Sequence, residues 1–203
     1  MQKNNLIHIP FYEFTCPDYI LKESNDQLAR SQWRGNFNNV ISIHFKNTIL
    51  KNWFDKCLKE LKEKELRSAK PEIKTCLMWA NKTTKFKFHH KHSHPNSIIS
   101  GILYLNSAEG MGKTKFYYPN PWWHFQNAWG WWLDDQGQAV EYEYEVVPKT
   151  GMLILFPSHI RHSTSPNLCD EDRYTISFNS FVAGEIGDFG SANYIKFNDL
   201  DED

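Results

Sequence analysis

Apolar and polar positions along this chain follow two different periods, and the change between them falls near Pro71. From Thr48 to Leu66 the residues Leu50, Trp53, Phe54, Cys57, Leu58, Leu61 and Leu66 recur at three- and four-residue steps, with lysines and glutamates between them. That spacing gathers the apolar side chains on one face of a helix. A weaker helical pattern runs over Tyr19–Ser31, after Pro17-Asp18. Beyond Pro71 the texture becomes short runs of aromatic and β-branched residues broken by Gly, Pro and Asn, which predicts strands at Ile73–Ala80, Thr84–His90, Ile98–Leu105, Thr114–Tyr118, Val140–Val147, Met152–Phe156 and Tyr174–Val182. Helices first and strands afterwards describe a mostly β protein with flanking helices, an antiparallel sandwich or barrel rather than alternating βα units. We expect one domain over 1–203, with a helical support segment at 1–70, the β core at 71–183 and a tail at 184–203 whose acidic end has little to bury.

Composition narrows the function classes. Lys and Arg number 23 against 24 Asp and Glu, so no global basic field calls for nucleic acid or an anionic membrane. The longest apolar runs fall well short of the roughly 18 residues a membrane helix requires. The first ten residues lack the apolar stretch and small-residue cleavage site of a secretory signal, which makes a cytoplasmic location the expectation. Cys16, Cys57, Cys76 and Cys169 are too scattered for a disulfide scaffold or a paired metal motif, and are expected to be plain reduced residues.

Two histidine clusters carry the candidate chemistry. In His89-His90-Lys91-His92-Ser93-His94 an extended chain puts His90, His92 and His94 on one side, with successive rings about 6–7 Å apart and able to converge on a metal. A solvated basic turn is the plainer reading of the same residues. The second cluster, Ser158-His159-Ile160-Arg161-His162, follows the apolar run Met152–Phe156, and eleven residues later Arg173 opens an alternating strand. There Arg173, Thr175 and Ser177 share one face, and Tyr174, Ile176 and Phe178 the other. An arginine in such a place can grip a carboxylate through its planar fork, or can be an ordinary surface ion-pair residue.

Taken in order, His92-x-His94, Ser100-Gly-Ile-Leu-Tyr104, Gly151…Phe156-Pro-Ser158…His162 and Arg173-x-Thr175 resemble the Fe(II)- and 2-oxoglutarate-dependent dioxygenases, within a subfamily carrying His-x-His-Pro-x-Ser. The resemblance spans Ile73–Val182 and implies a double-stranded β-helix (jelly-roll, cupin-like) core. It also implies Fe(II), 2-oxoglutarate and O2 as cofactor and co-substrates. By the same likeness His92, His94 and His162 match the metal ligands, while Arg173, Tyr104 and Thr175 match the co-substrate site. The implied reaction hydroxylates a small-molecule or peptidyl substrate with release of succinate and CO2. The usual motif is His-x-Asp, so His94 is a departure that replaces the carboxylate of the common triad with a third imidazole. Two alternatives stay open: His90 pairs with His92 in its place, or His94 points away and a water or anion completes the site.

The stretch Tyr117–Leu133 packs five tryptophans between two expected strands. It reads either as a substrate-facing platform, with Trp122, Trp123 and Trp129 as contacts, or as a loop folded over the barrel as extra core. His124 and His159 read as ordinary polar side chains. Two rival functions stay open at this level: a cupin-like metal protein that does not use 2-oxoglutarate, and a ligand-binding β-sandwich whose tryptophans are the site.

Overall fold

A computed structural model describes residues 9–33, 40–66, 71–119, 141–187, 189–190 and 192–197. Strand β1 (Tyr12–Thr15) leads into helix α1 (Asp18–Ala29), and β2 (Ile41–His44) into α2 (Thr48–Leu61). Strands β3 (Glu72–Thr83), β4 (Ile99–Tyr104), β5 (Thr114–Pro119), β6 (Glu141–Val146), β7 (Met152–Pro157), β8 (Arg161–Thr164), β9 (Arg173–Ile186) and β10 (Ile195–Phe197) follow. They form a seven-stranded sheet in the order β1-β7-β4-β9-β3-β2, with β10 on β9, and a three-stranded sheet in the order β6-β5-β8. The architecture is the expected double-stranded β-helix.

Helix α2 begins where Asn47 caps it, its Oδ1 accepting from the Leu50 N–H at 2.8 Å. Its apolar stripe, Leu50, Phe54, Cys57, Leu58 and Leu61, is buried. Helix α1 follows Pro17, whose fixed φ suits a helix entry, and buries Ile20, Ser24 and Leu28 at four-residue steps. Both helices cover one face of the large sheet, where Leu103, Leu153, Leu155, Ile176 and Phe178 meet them. The opposite face holds Tyr104, Met152, Ile154 and Phe156 against Phe116 and Val146 of the small sheet. Strand β7 alternates between the two clusters, which explains why Met152–Phe156 is apolar without a break: it is buried on both sides.

Phe178 fixes how the helices dock. Its ring stacks on Phe54 with centroids 4.3 Å apart and lies across the paired residue Gly101. A Cβ on Gly101 would sit 2.2 Å from the Phe178 ring, so the glycine of Ser100-Gly101 is a packing requirement.

Three expectations need correction. The segment at Thr84–His90 is not a strand. Strand β3 continues to Thr83, and the chain then turns through Phe86 at φ 65°. Its backbone groups bond the 165–168 loop instead of a sheet, Phe86 N–H to Asn167 O at 2.6 Å and Asn167 N–H to Lys87 O at 2.9 Å. The alternation of Phe86 and Phe88 misled because Phe86 is exposed. Secondly, the N-terminal segment is more than helical support, since β1 pairs with β7 and β2 with β3. Thirdly, α2 ends at Leu61 and gives way to a wider turn over Lys62–Leu66. Among the described residues no helix is long and apolar enough to cross a membrane. Cys16, Cys57, Cys76 and Cys169 form no disulfide.

Candidate metal centre

The first histidine cluster lies beside β8, joined to it by an isolated bridge at the edge of the small sheet. His92 and His162 face each other across an antiparallel bridge, with His92 N–H on His162 O at 2.9 Å and His162 N–H on His92 O at 2.8 Å. Further along, Thr164 N–H bonds His89 O at 3.1 Å. Three residue steps of the histidine segment thus oppose two of β8, and the extra residue breaks the alternation. This is why His90, expected beside His92, is turned out and exposed, its ring edge-on to Phe88 at 4.9 Å. His94 keeps the expected side, its N–H anchored on Ser158 O at 3.0 Å.

His92, His94 and His162 therefore converge, with ligand-capable nitrogens all within 4.8 Å of one another. Ring centroids are 4.9 Å apart for His92 and His94, 4.3 Å for His92 and His162, and 5.0 Å for His94 and His162. The backbone selects the tautomer of two rings. His92 Nδ1 lies 2.7 Å from His90 O, and His162 Nδ1 lies 3.0 Å from Ile160 O. A carbonyl only accepts, so each Nδ1 carries the proton and each Nε2 presents its lone pair.

Electrostatics keep the rings neutral. Burial pulls His162 down to about 3 and His94 to about 4, with the neighbouring His92 adding to both. Burial also lowers His92, against the opposing effect of its bond to His90. Three neutral imidazoles converging from one side of an open cavity fit a divalent transition metal, for which imidazole is a suitable donor.

The same cavity holds Arg173, Tyr104 and Thr175, and is also lined by Trp79, Asn81 and Ser177. Arg173 is only 3% exposed, and its Nη1 donates to Met111 O at 2.8 Å. Among the described residues no carboxylate pairs with it. Gly112 makes room for this guanidinium: it has φ 85°, and a Cβ there would lie 2.9 Å from Arg173 Nη1. Tyr104, 1% exposed, shares a 2.6 Å hydrogen bond with Thr114 Oγ1 across the two sheets, and burial pushes its hydroxyl up to about 12. His159 is exposed and stands outside the cluster. Trp122, Trp123, Trp129 and His124 lie outside the described residues.

Sequence reasoning missed Trp79 and Asn81. They alternate inward on β3, and Trp79 lies 5.7 Å from the His94 ring. The signal was there in the two-residue spacing of Trp79-Ala80-Asn81, but nothing in sequence tells which of two strand faces looks at a cavity.

Residues 77–179, about half of the chain, match the protein family described as "Putative 2OG-Fe(II) oxygenase". The chain belongs to that family. No curated protein matches the oxygenase. Solved structures that resemble it share the fold at low identity. One is a prolyl-4-hydroxylase from Pseudomonas putida, with TM-score 0.57 and 13% identity, covering 84% of this chain and 92% of that one. Another is SnoN, a non-haem α-ketoglutarate-dependent epimerase from nogalamycin biosynthesis, with TM-score 0.62 and 14% identity, covering 91% and 83%. HygX from Streptomyces hygroscopicus, with nickel, 2-oxoglutarate and hygromycin B bound, has TM-score 0.58 and 12% identity, covering 85% and 82%. Membership in the oxygenases replaces the two rival readings considered from sequence, the cupin-like metal protein without 2-oxoglutarate and the ligand-binding β-sandwich.

Proposed function

We propose that this oxygenase holds Fe(II) with His92, His94 and His162, and binds 2-oxoglutarate through Arg173, assisted by Tyr104 and Thr175. It hydroxylates a small-molecule or peptidyl substrate and releases succinate and CO2. The observation that carries this reading is the buried guanidinium of Arg173, without a carboxylate partner among the described residues, lining the same cavity as the three convergent imidazoles. A buried cation without a counter-ion is costly, and a dicarboxylate reaching from the metal side supplies one.

The bound iron with its co-substrate supplies the oxidising chemistry; the protein's residues supply position. The carbonyls of His90 and Ile160 hold two imidazoles in the Nε2-ligating tautomer. Tyr104, neutral and tied to Thr114, keeps its phenol in the wall beside Arg173 without adding charge. Trp79, against His94, gives the metal side of the cavity an apolar wall for the substrate. Hydroxylation is the simplest outcome, because three protein ligands leave the remaining positions to co-substrate and oxygen and none vacant for a halide.

The test is succinate release from 2-oxoglutarate under O2 with Fe(II) supplied, in the native chain and in Arg173→Ala. Native turnover that disappears in the variant supports the assignment. Metal binding with no 2-oxoglutarate binding would overturn it.

A further inference from the structure

We infer that Asn81 is a positioning residue that turns the hydroxyl protons of Thr175 and Ser177 into the cavity, so that both donate to a carboxylate bound there. The inference rests on the proposed 2-oxoglutarate site and adds a residue to it that reaches the ligand through others.

Hydrogen-bond accounting leads to this assignment. Asn81 sits on β3 directly opposite Thr175 of β9, in the same register that sets Trp79 opposite Ser177. Its Oδ1 accepts from Ser42 Oγ at 2.7 Å, and its Nδ2 donates to Ser177 Oγ at 3.2 Å and to Thr175 Oγ1 at 3.4 Å. Each hydroxyl has one proton to give. Because the amide fills an acceptor position on each oxygen, both protons are left for another acceptor, and the two side chains line the cavity. A carboxylate only accepts, so it requires this direction and no other. The reversed amide, Nδ2 toward Ser42 and Oδ1 toward β9, would draw both protons away from the cavity. Ser42 Oγ donates to Oδ1 in this arrangement but can equally accept from the reversed amide, so the donating direction is required by the carboxylate and not by Ser42, which lines no part of the cavity. The chain of bonds runs from β2 through β3 to β9.

Asparagine is not interchangeable with its acid here. An ionised aspartate in its place could only accept, and would hold the protons of Thr175 and Ser177 on itself, whereas an alanine there would leave those protons free for the ligand. The full chain loaded with nickel and titrated with 2-oxoglutarate by calorimetry separates the cases without turnover. Asn81→Asp should weaken binding roughly tenfold or more, a charge-assisted hydrogen bond lost, and Asn81→Ala distinctly less. In a Thr175→Val/Ser177→Ala background the extra loss from Asn81→Asp should vanish, because no protons remain to be redirected.

Three results would overturn the inference: Asn81→Ala as damaging as Asn81→Asp, which is the mark of packing alone; an undiminished penalty for the acid in the doubly substituted background, the mark of simple charge repulsion; or unchanged affinity in Asn81→Asp. Absence of 2-oxoglutarate binding to the native nickel-loaded chain would instead remove the co-substrate reading itself.

Discussion

The two faces of β9 perform opposite tasks from one alternating run of residues. Ile176 and Phe178 point to the helices and are fully buried among aliphatic and aromatic side chains. Arg173, Thr175 and Ser177 point between the sheets and are also buried, yet they are polar and line the cavity. Burying apolar area stabilises a fold, while burying a guanidinium without a counter-ion works against it. The difference teaches that stability and ligand readiness are allotted to alternate residues of one strand. Substitutions should therefore separate them.

The largest effect is expected at the metal. His162→Ala removes a proposed ligand whose ring is locked by Ile160 O, and Fe(II) retention in the purified protein should fall to near zero. Stoichiometric iron in a His92→Ala/His162→Ala variant would remove both from the ligand set.

On the helix-facing side, Phe178→Ala should cost about 3–5 kcal/mol in denaturant unfolding. Gly101→Ala should be strongly destabilising alone, since its Cβ would strike the Phe178 ring, but much less so in the Phe178→Ala background. Additive penalties would mean that the glycine serves another purpose.

On the cavity side the outcome inverts. Arg173→Lys keeps the charge but loses the fork, and 2-oxoglutarate affinity should weaken by roughly ten- to a hundred-fold, with the unfolding midpoint little changed. Arg173→Met should abolish that binding and raise the midpoint of the ligand-free protein. A large loss of stability in Arg173→Met would show that the two faces are not divided in this way.

The smallest expected effect concerns His94. If this ring fills the third place as proposed, high chloride should leave the product hydroxylated, checked by mass spectrometry of the product. His94→Asp should retain metal, and His94→Gly should lose part of it. A chlorinated product would mean that His94 leaves the site open.

Much of this was legible in sequence, for identifiable reasons. The period of two on β9 assigned Arg173, Thr175 and Ile176 to their faces, because alternation is a geometric necessity in an extended chain. The helix beginning at Thr48 was equally plain from its spacing, although the pattern ran on to Leu66, past its end at Leu61. The same rule failed at His90, where three steps oppose two and local pairing overrides alternation. It failed again at Phe86, where a loop with positive φ imitates a strand pattern. Short β1, β2 and β8 escaped because four residues carry too little pattern, and they are defined by the strands they pair with. Asn81 was invisible because its meaning lies in Ser42 and Ser177, distant in sequence and adjacent only after folding.

The backbone bridge between His92 and His162 has a further consequence, for the topology of unfolding. These residues stand about 70 positions apart, so an ion gripped by their rings would act as a clasp across a long loop, at a point already closed by two reciprocal hydrogen bonds. Closing such a loop removes freedom chiefly from the unfolded chain, and the gain grows slowly with loop length. The two bridging amides then become reporters of occupancy. Their hydrogen exchange should slow on metal loading by more than that of β1 or β10, so that a backbone measurement reads the state of a side-chain site.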